Sequence, residues 1–245
     1  MPQLIQQPTV RNRLLAALPP DDFAALAPAL HPVRLDPKQT LYLPGRPIGA
    51  VHFPESGAVS LLAPLGGGEL LEVGFVGREG LVGVPVVLGE DSSTTEALVQ
   101  APGTAWRVRA TALKQALEAG AALKALLLRY VQAFHAQVVQ TAACNARHPL
   151  EKRFARWLLM AHDRAEGDAF PMTQEFAAMM LGVRRAGVSV AAAVLQKVGV
   201  IAYAHGRVAV LDRAGLEAAS CECYGTVRGQ FECLPGGAAA PAAGG

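Results

Sequence analysis

Hydrophobic and polar positions in residues 173–211 predict two short helices followed by two strands. Thr173 can cap the first helix, and Gly182 suits the tight turn that ends it. A second helix starts near Arg184, and its inward stripe comprises Val188, Ala191, Leu195 and Val198. The strands, 200–204 and 207–211, meet at His205-Gly206. This order is typical of a winged helix-turn-helix, with a plain structural subdomain as the alternative.

Residues 33–108 consist of short apolar runs separated by Gly- and Pro-containing turns. The predicted strands are residues 40–43, 50–53, 58–63, 70–76, 82–88, 96–100 and 104–108. Helical spacing is absent between them, which disfavours a parallel α/β architecture. Turn signals every ~8–12 residues are typical of an antiparallel sandwich or jelly roll. With one or two short helices over residues 9–30, the fold class is α+β.

A long helix is predicted over residues 121–147, where apolar residues keep helical spacing without a break. At ~1.5 Å per residue it is about 40 Å long, more than a small β domain needs for cover. We therefore expect pairing with the same helix of a second subunit. The alternative is a helix that packs wholly within its own chain. Pro149 ends this segment, and residues 150–165 predict a further helix.

Composition and charge exclude a few classes of protein but do not indicate a specific function. The chain has 245 residues, 51% hydrophobic, and a net charge of +2, so it is not a polybasic protein. Residues 148–214 hold nine Lys and Arg against six Asp and Glu, the one basic portion of the sequence. A signal peptide and a membrane-length apolar run are both absent from the sequence, so we expect a cytoplasmic protein without membrane contact. Motifs of common enzyme active sites are absent too, so no catalytic function is expected.

Cysteines and histidines give no clear metal site in the sequence. The four cysteines do not form a disulfide framework, and none precedes Cys144. Cys221, Cys223 and Cys233 lack paired C-x-x-C spacing, so we expect exposed or half-buried thiols and no metal. The alternative is a redox switch or a metal site. The histidines are dispersed: His52 and His135 are expected to be packing or surface residues, and His148, before Pro149, a helix cap or hinge.

Four motifs make the chain resemble the cyclic AMP receptor protein and fumarate–nitrate regulator (Crp/Fnr) superfamily of bacterial transcription factors. They are FPESG at 53–57, VGREGLVGV at 76–84, HPLEKRFARWLLMAHDR at 148–164 and MLGVRRAGV at 180–188. The resemblance implies a cyclic-nucleotide-binding-like sensor β-roll (residues 1–120), a dimerisation helix (121–147) and a winged helix-turn-helix domain (148–233). A disordered low-complexity tail is expected over 234–245. The implied partners are double-stranded DNA, a second copy of the chain and RNA polymerase.

The resemblance does not extend to the residues that hold cyclic AMP. Nucleotide-binding members use a Gly-Glu pair for the ribose and an Arg-Ser pair for the phosphate. Glu79 matches the first pair, although Arg78 replaces its glycine, and Thr94 and Thr95 stand at the second, without an arginine. Because a buried phosphate without a cation is costly, we expect no response to cyclic AMP and no cofactor. The alternative is an unidentified small-molecule effector that contacts these four residues.

For DNA recognition, the resemblance implies that the second helix of the motif enters the major groove. Arg185 matches a family base-reading arginine, whereas Ala186 and Val190 replace the polar residues expected on that face. Arg185 is predicted to read guanine and Ser189 to contact a base edge or phosphate. The predicted phosphate contacts are Thr173, Gln174, Arg184, Lys197, His205 and Arg207. The rival function is a dimeric regulatory protein that has lost DNA reading and binds a protein partner.

Overall fold

The computed structural model describes residues 5–236. The helices in these residues are α1 (Arg13–Ala16), α2 (Pro20–Leu26), α3 (Val84–Val87), α4 (Ala110–Ala119), α5 (Ala121–Arg147), α6 (Leu150–His162), α7 (Gln174–Leu181), α8 (Arg185–Lys197), α9 (Arg213–Ala219) and α10 (Cys223–Glu232). The strands are β1 (His31–Leu35), β2 (Thr40–Tyr42), β3 (Ala50–Pro54), β4 (Ala58–Pro64), β5 (Leu70–Val76), β6 (Glu96–Ala101), β7 (Gly103–Arg109), β8 (Ala169–Pro171), β9 (Ile201–Ala204) and β10 (Arg207–Val210).

Strands β1 to β7 form an antiparallel roll of two sheets, which confirms the predicted α+β class. One sheet has the order β1-β7-β3 and the other β2-β6-β4-β5. Their inward side chains join those of the N-terminal helices, α4 and α5 in one hydrophobic core. His52 is buried in β3, where burial, with Arg107 adding repulsion, lowers its pKa to about 4. It is therefore a neutral packing residue at neutral pH, and His135 is a surface residue.

The predicted strand over residues 82–88 is wrong. Val82 makes one isolated bridge to His52, and the chain then turns into the short helix α3. Gly83 has a φ of 117°, which a β-branched residue rarely adopts, and Pro85 lies in the first turn, where it lacks an N–H to give to a sheet. Strand β1 (His31–Leu35), which pairs with β7, was not predicted as a strand.

Helix α5 has the predicted bounds and 27 residues. Its inner face packs on the roll through Tyr130 and Phe134. The Phe134 ring lies so close to Gly74 that a Cβ there would come within 2.5 Å of it. Gly74 therefore sets how near the helix approaches β5.

The segment from α6 to α9 forms the predicted winged helix-turn-helix, with the sheet order β8-β10-β9. A second core joins α6, α7 and α8 to the wing and includes roll residues such as Phe75. Strand β8 was not predicted. Val198, predicted on the buried stripe of α8, is instead 63% exposed because α8 ends at Lys197 and Val198 is its C-cap.

Helix α10 returns to the β-roll and packs along α5. The Phe231 and Tyr130 rings lie 6.3 Å apart, and Val227 and Phe231 belong to the roll core. The sequence interpretation assigned this helix to the DNA-binding domain. Leu234, which it assigned to the disordered tail, is 7% exposed and packs in the same core. Residues 237–245, the rest of that predicted tail, lie outside the described residues.

The helix-turn-helix part and the roll are packed against each other. The Trp157 and Phe75 rings stack at 6.3 Å, and Trp157 Nε1 donates to Glu72 Oε1 at 2.9 Å. Glu72 is 6% exposed, and burial raises its pKa to about 7, an effect that hydrogen bonds from Ser60 and Trp157 partly offset. The domain contact therefore contains a carboxyl group that titrates near neutral pH.

Candidate nucleic-acid interface

Helices α7 and α8 cross at the angle of a helix-turn-helix, with a bend of 106° between them. The Thr173 hydroxyl accepts from the Phe176 N–H at 3.1 Å and so caps α7, as predicted. Gly182 ends this helix with a φ of 62°, the left-handed conformation that glycine adopts without strain. Buried Val188 and Leu195 anchor α8 beneath the turn. The outer face of α8 is consequently held away from the core.

That outer face is exposed and largely apolar between its two cationic ends. Arg184 and Arg185 lie at the first turn and Lys197 at the last. The exposed positions between them include Val190, 60% exposed, and Val194, 44% exposed. The positive end of the helix dipole adds to the arginines at the first turn. This end of α8 is therefore suited to an anionic partner.

Arg185 makes a specific contact that the sequence did not predict. Its Nε lies 2.8 Å from Oε1 of Glu175 in the first turn of α7, and both side chains are about two-thirds exposed. An exposed ion pair of this kind contributes about 0–1 kcal/mol, so the arginine can exchange Glu175 for another acceptor. The Ser189 hydroxyl donates to Gln174 Oε1 at 2.6 Å, which joins the same two helices.

The structure brings three of the predicted DNA-contact residues into one shallow cavity between α7, α8 and the wing. The cavity has a volume of about 310 Å³ and is lined by Thr173, Gln174, Glu175, Arg185, Tyr203 and Gly206. Glu175, Tyr203 and Gly206 are the members that were not among the predicted contacts. Glu175 could have been found from its place in the first turn of a helix capped by Thr173, next to the turn that begins α8.

The remaining predicted contacts do not line this cavity. His205, at the tip of the wing, has a φ of 51°, and Arg207 begins β10; both are exposed. Lys197 lies twelve residues along α8 from Arg185, about 18 Å at the rise of a helix. Arg184 lines a separate groove against β5 with Leu71 and Arg153. The role of these residues as phosphate contacts stays a prediction.

The four predicted effector residues do not meet in one cavity. Arg78 and Glu79 line a cavity of about 430 Å³ between the roll, α6 and α10, and neither Thr94 nor Thr95 is among its lining residues. Thr94 is exposed, and the Thr95 hydroxyl lies 2.9 Å from that of Ser93. The effector constellation predicted from the sequence is thus divided between two places in the roll.

Glu79 is bound by a residue of the DNA-binding domain. Arg164 Nε donates to Glu79 Oε1 at 3.0 Å, and its Nη2 approaches the same oxygen at 2.5 Å. The two side chains are 7% and 11% exposed. The Gly77 N–H also donates to Glu79 at 3.0 Å, and the Arg164 guanidinium lies 4.7 Å from the centroid of Phe75. Arg164 lies within the motif at 148–164, but sequence alone did not predict its contact with the roll.

The prediction that the C-terminal cysteines are exposed or half-buried is wrong for two of the three. Cys221 and Cys223 are buried and lie beside Cys144, whereas Cys233 is exposed. The physical reason is that the connection between α9 and α10 returns to the end of α5, a long-range contact that C-x-C spacing does not reveal. His148 is the C-cap of α5, as predicted, and its ring faces the same cluster.

Comparison with known proteins identifies the domain and the fold. Residues 152–219 match the family model of the Crp-like helix-turn-helix domain. Residues 152–219 therefore form a Crp-like helix-turn-helix domain. A search of the curated proteins finds no match to the sequence.

Solved structures with this Crp/Fnr fold cover most of the chain at low sequence identity. FixK2 from Bradyrhizobium japonicum is 17% identical, with a TM-score of 0.68 over 78% of this chain and 98% of its own. A putative transcriptional regulator of the Crp/Fnr family from Eubacterium rectale is 16% identical, with a TM-score of 0.66 over 84% and 96%. The c-di-GMP-responsive global regulator CLP from Xanthomonas campestris is 17% identical, with a TM-score of 0.61 over 78% and 98%. The chain therefore shares its fold with these three proteins.

Within residues 5–236, no single helix is long and apolar enough to cross a membrane. Helices α7 and α8 together have the length and apolar composition of a bent span. Their apolar residues Ala177, Leu181 and Val188 are buried in the second core, as expected of a helix-turn-helix.

Proposed function

We propose that this Crp/Fnr protein is a homodimeric, sequence-specific DNA-binding transcription regulator that does not respond to cyclic AMP. The observation that carries the proposal is the exposed α8 with Arg185 at its first turn, beside a cavity shared with the wing. A helix presented in this way fits the major groove, and a bidentate Arg185–guanine contact would contribute about 1–3 kcal/mol of discrimination. Its regulatory output would be exerted on RNA polymerase, and its site of action would be the cytoplasm.

The outer face of α5 supports the homodimer. A stripe at spacings of three and four residues runs along the side of α5 that faces away from the roll. Its members are Leu128, Val131, His135, Val139, Ala142 and Ala146. Leu128 is 42% and Val139 52% exposed, while the opposite face is buried in the chain's own core. A second copy of α5 would bury this stripe as in a coiled coil. Burial stabilises such a dimer by about 25 cal/mol for each Å² of apolar surface removed from water.

The surroundings of Glu79 support the absence of a cyclic AMP response. Its carboxylate, the expected ribose acceptor, is already paired with Arg164. Cationic side chains are also missing from positions 94 and 95, where the cyclic phosphate would need one. The relative CLP is described as c-di-GMP-responsive, so regulators of this fold can use other effectors. An effector of this chain would be an unidentified small molecule at the Arg78–Glu79 cavity.

The exposed valines of α8 favour a second candidate function. Val190 and Val194 could dock a protein partner instead of thymine methyl groups. Binding to random duplex DNA at several salt concentrations distinguishes the two functions. For a protein that reads DNA, the logarithm of the binding constant should fall linearly with the logarithm of the salt concentration, because bound counterions are released from the DNA. An absence of binding at low salt would contradict the proposal. Calorimetric titration with cyclic AMP tests the effector claim, and micromolar affinity would overturn it.

A further inference from the structure

Four side chains that can bind a metal converge where α5 ends and α10 begins. Cys144 lies near the end of α5, His148 is its C-cap, and Cys221 and Cys223 flank the start of α10. One ligand atom from each lies within 4.8 Å of every other. The three cysteines are buried and form a small cluster separate from the two hydrophobic cores. The four side chains come from two distant parts of the sequence, residues 144–148 and 221–223, so their convergence is a product of the fold.

The distances fit a single tetrahedral ion. Cys144 Sγ and Cys221 Sγ are 3.5 Å apart, and Cys223 Sγ is 3.5 Å from His148 Nδ1. Zinc bonds sulfur at about 2.3 Å and imidazole nitrogen at about 2.0–2.1 Å, which places tetrahedral ligand atoms about 3.5–3.8 Å apart. An iron–sulfur cluster requires wider separation of its cysteine sulfurs, because bridging sulfides lie between the irons. The geometry therefore favours one ion bound to thiolate and imidazole.

The contacts around the four side chains are those of a metal site. Glu222 Oε1 lies 3.2 Å from His148 Nε2. A proton held on Nε2 by this carboxylate leaves the Nδ1 lone pair directed at the cluster, the arrangement seen in carboxylate–histidine–zinc sites. Gln140 Nε2 donates to Cys223 Sγ at 3.0 Å, a bond that a thiolate accepts better than a thiol does. Three thiolates around Zn²⁺ leave one negative charge, and the buried guanidinium of Arg156 lies close enough to Cys144 to offset it.

We propose that Cys144, His148, Cys221 and Cys223 bind one Zn²⁺ ion in a closed Cys3His site. Four protein ligands leave no open position, so the ion is structural rather than catalytic. Binding replaces the thiol protons of the three cysteines, which pass to solvent, and involves no change of oxidation state. The ion connects the dimer-facing helix α5 to the segment that follows α9 of the DNA-binding part. Its occupancy would therefore fix how the helix-turn-helix is held relative to α5.

The test measures zinc in the full-length protein, purified under reducing conditions without a metal-chelating tag. Elemental analysis should give one zinc per chain in the parent and in Cys233→Ser, whose thiol is exposed and outside the cluster. The variants Cys144→Ser and Cys223→Ser should each lose it. After zinc removal, added Co²⁺ should give the visible absorption bands of tetrahedral cobalt–thiolate coordination. A parent protein that holds no zinc and gives no such bands would overturn the proposal, as would a Cys144–Cys221 disulfide that forms under the same conditions.

A milder variant keeps the test valid if a cysteine variant does not fold. The Glu222 side chain is 74% exposed, so Glu222→Ala should leave the fold intact. Loss of the carboxylate that orients His148 should weaken zinc affinity about 10- to 100-fold in competition with a chromophoric chelator. Equal affinity in Glu222→Ala and the parent would contradict the assignment of His148 as a ligand. These measurements use no DNA, so they can fail while the proposed function stands, and the reverse also holds.

Discussion

Arg164 of the helix-turn-helix domain and Glu79 of the β-roll form a buried ion pair, with Nε 3.0 Å from Oε1. Each residue lies in one of the motifs that resemble those of the Crp/Fnr superfamily, and the pair joins the domain that would read DNA to the one that would sense an effector. Any ligand that recruits the Glu79 carboxylate has to displace this guanidinium. The pair is therefore one contact, beside that of Trp157 with Phe75 and Glu72, through which the state of the roll can affect the position of α8.

Removal of one partner from this pair should be strongly destabilising. Arg164→Ala leaves Glu79 as a buried charge without a cation, and breaking such pairs costs about 3–5 kcal/mol. Urea denaturation measures the loss. The matched control is Arg11→Ala, which breaks an ion pair to Glu166 whose side chains are 50% and 63% exposed and should cost less than about 1 kcal/mol. Equal effects of the two substitutions would contradict the account of the pair.

Glu72 should make stability depend on pH between its unfolded and folded pKa values. Burial raises the folded pKa from 4.5 to about 7, although Ser60, Trp157 and two arginines oppose the shift. The folded state therefore binds this proton more tightly, and the associated stability is complete below about pH 4.5 and lost as pH rises through 7. The free energy of unfolding falls by as much as about 3 kcal/mol over this range.

Glu72→Gln removes this titration while keeping an oxygen for the Trp157 N–H. The free energy of unfolding at pH 8 should then exceed that of the parent. It should also no longer fall between about pH 5 and pH 8, the range in which folded Glu72 loses its proton. Glu69→Gln, at an exposed position just before β5, is the control and should keep the parent's pH profile. A parent-like profile in Glu72→Gln would show that another group titrates in this range.

Close packing of α5 on β5 should make Gly74 intolerant of a side chain. A Cβ at this position would lie 2.5 Å from the Phe134 ring, so Gly74→Ala should cost about 1–3 kcal/mol through overpacking. At Gly66 a Cβ would meet nothing within 4 Å, and Gly66→Ala should change the thermal midpoint little. Differential scanning calorimetry compares the two. Equal midpoints would mean that the helix shifts freely on the roll.

Sequence patterns were sufficient for the large elements and insufficient for contacts between distant segments. Helix α5 was predicted with its observed bounds because its apolar residues keep one spacing throughout. The strand predicted at residues 82–88 is a short helix instead. The valines there favour a strand, but Gly83 and Pro85 set the backbone conformation. The cysteine cluster and the Arg164–Glu79 pair depend on how α10 and α6 pack, and residue spacing carries no information on that. Val198 was predicted inside α8 but is its C-cap, and hydrophobic spacing does not locate a helix end to within one residue.

Arg185→Ala should remove sequence preference without loss of the fold. The side chain is 65% exposed and its ion pair with Glu175 is on the surface, so stability should change by less than about 1 kcal/mol. Discrimination between the preferred site and a site with its guanine replaced should fall by about 1–3 kcal/mol. Competition binding measures the difference. Arg34→Ala, at an exposed arginine of the roll, should leave discrimination unchanged, and an unchanged preference in Arg185→Ala would remove Arg185 from base recognition.

The most direct test of a dimer that places two α8 helices in successive major grooves is to sequence the DNA fragments retained by the purified protein from a random pool. The account predicts enrichment of an inverted repeat whose half-sites are centred about one helical turn apart, ~34–36 Å along the duplex. Recovery of a single unrepeated half-site, or of no enriched sequence at a salt concentration where DNA is still bound, would contradict it.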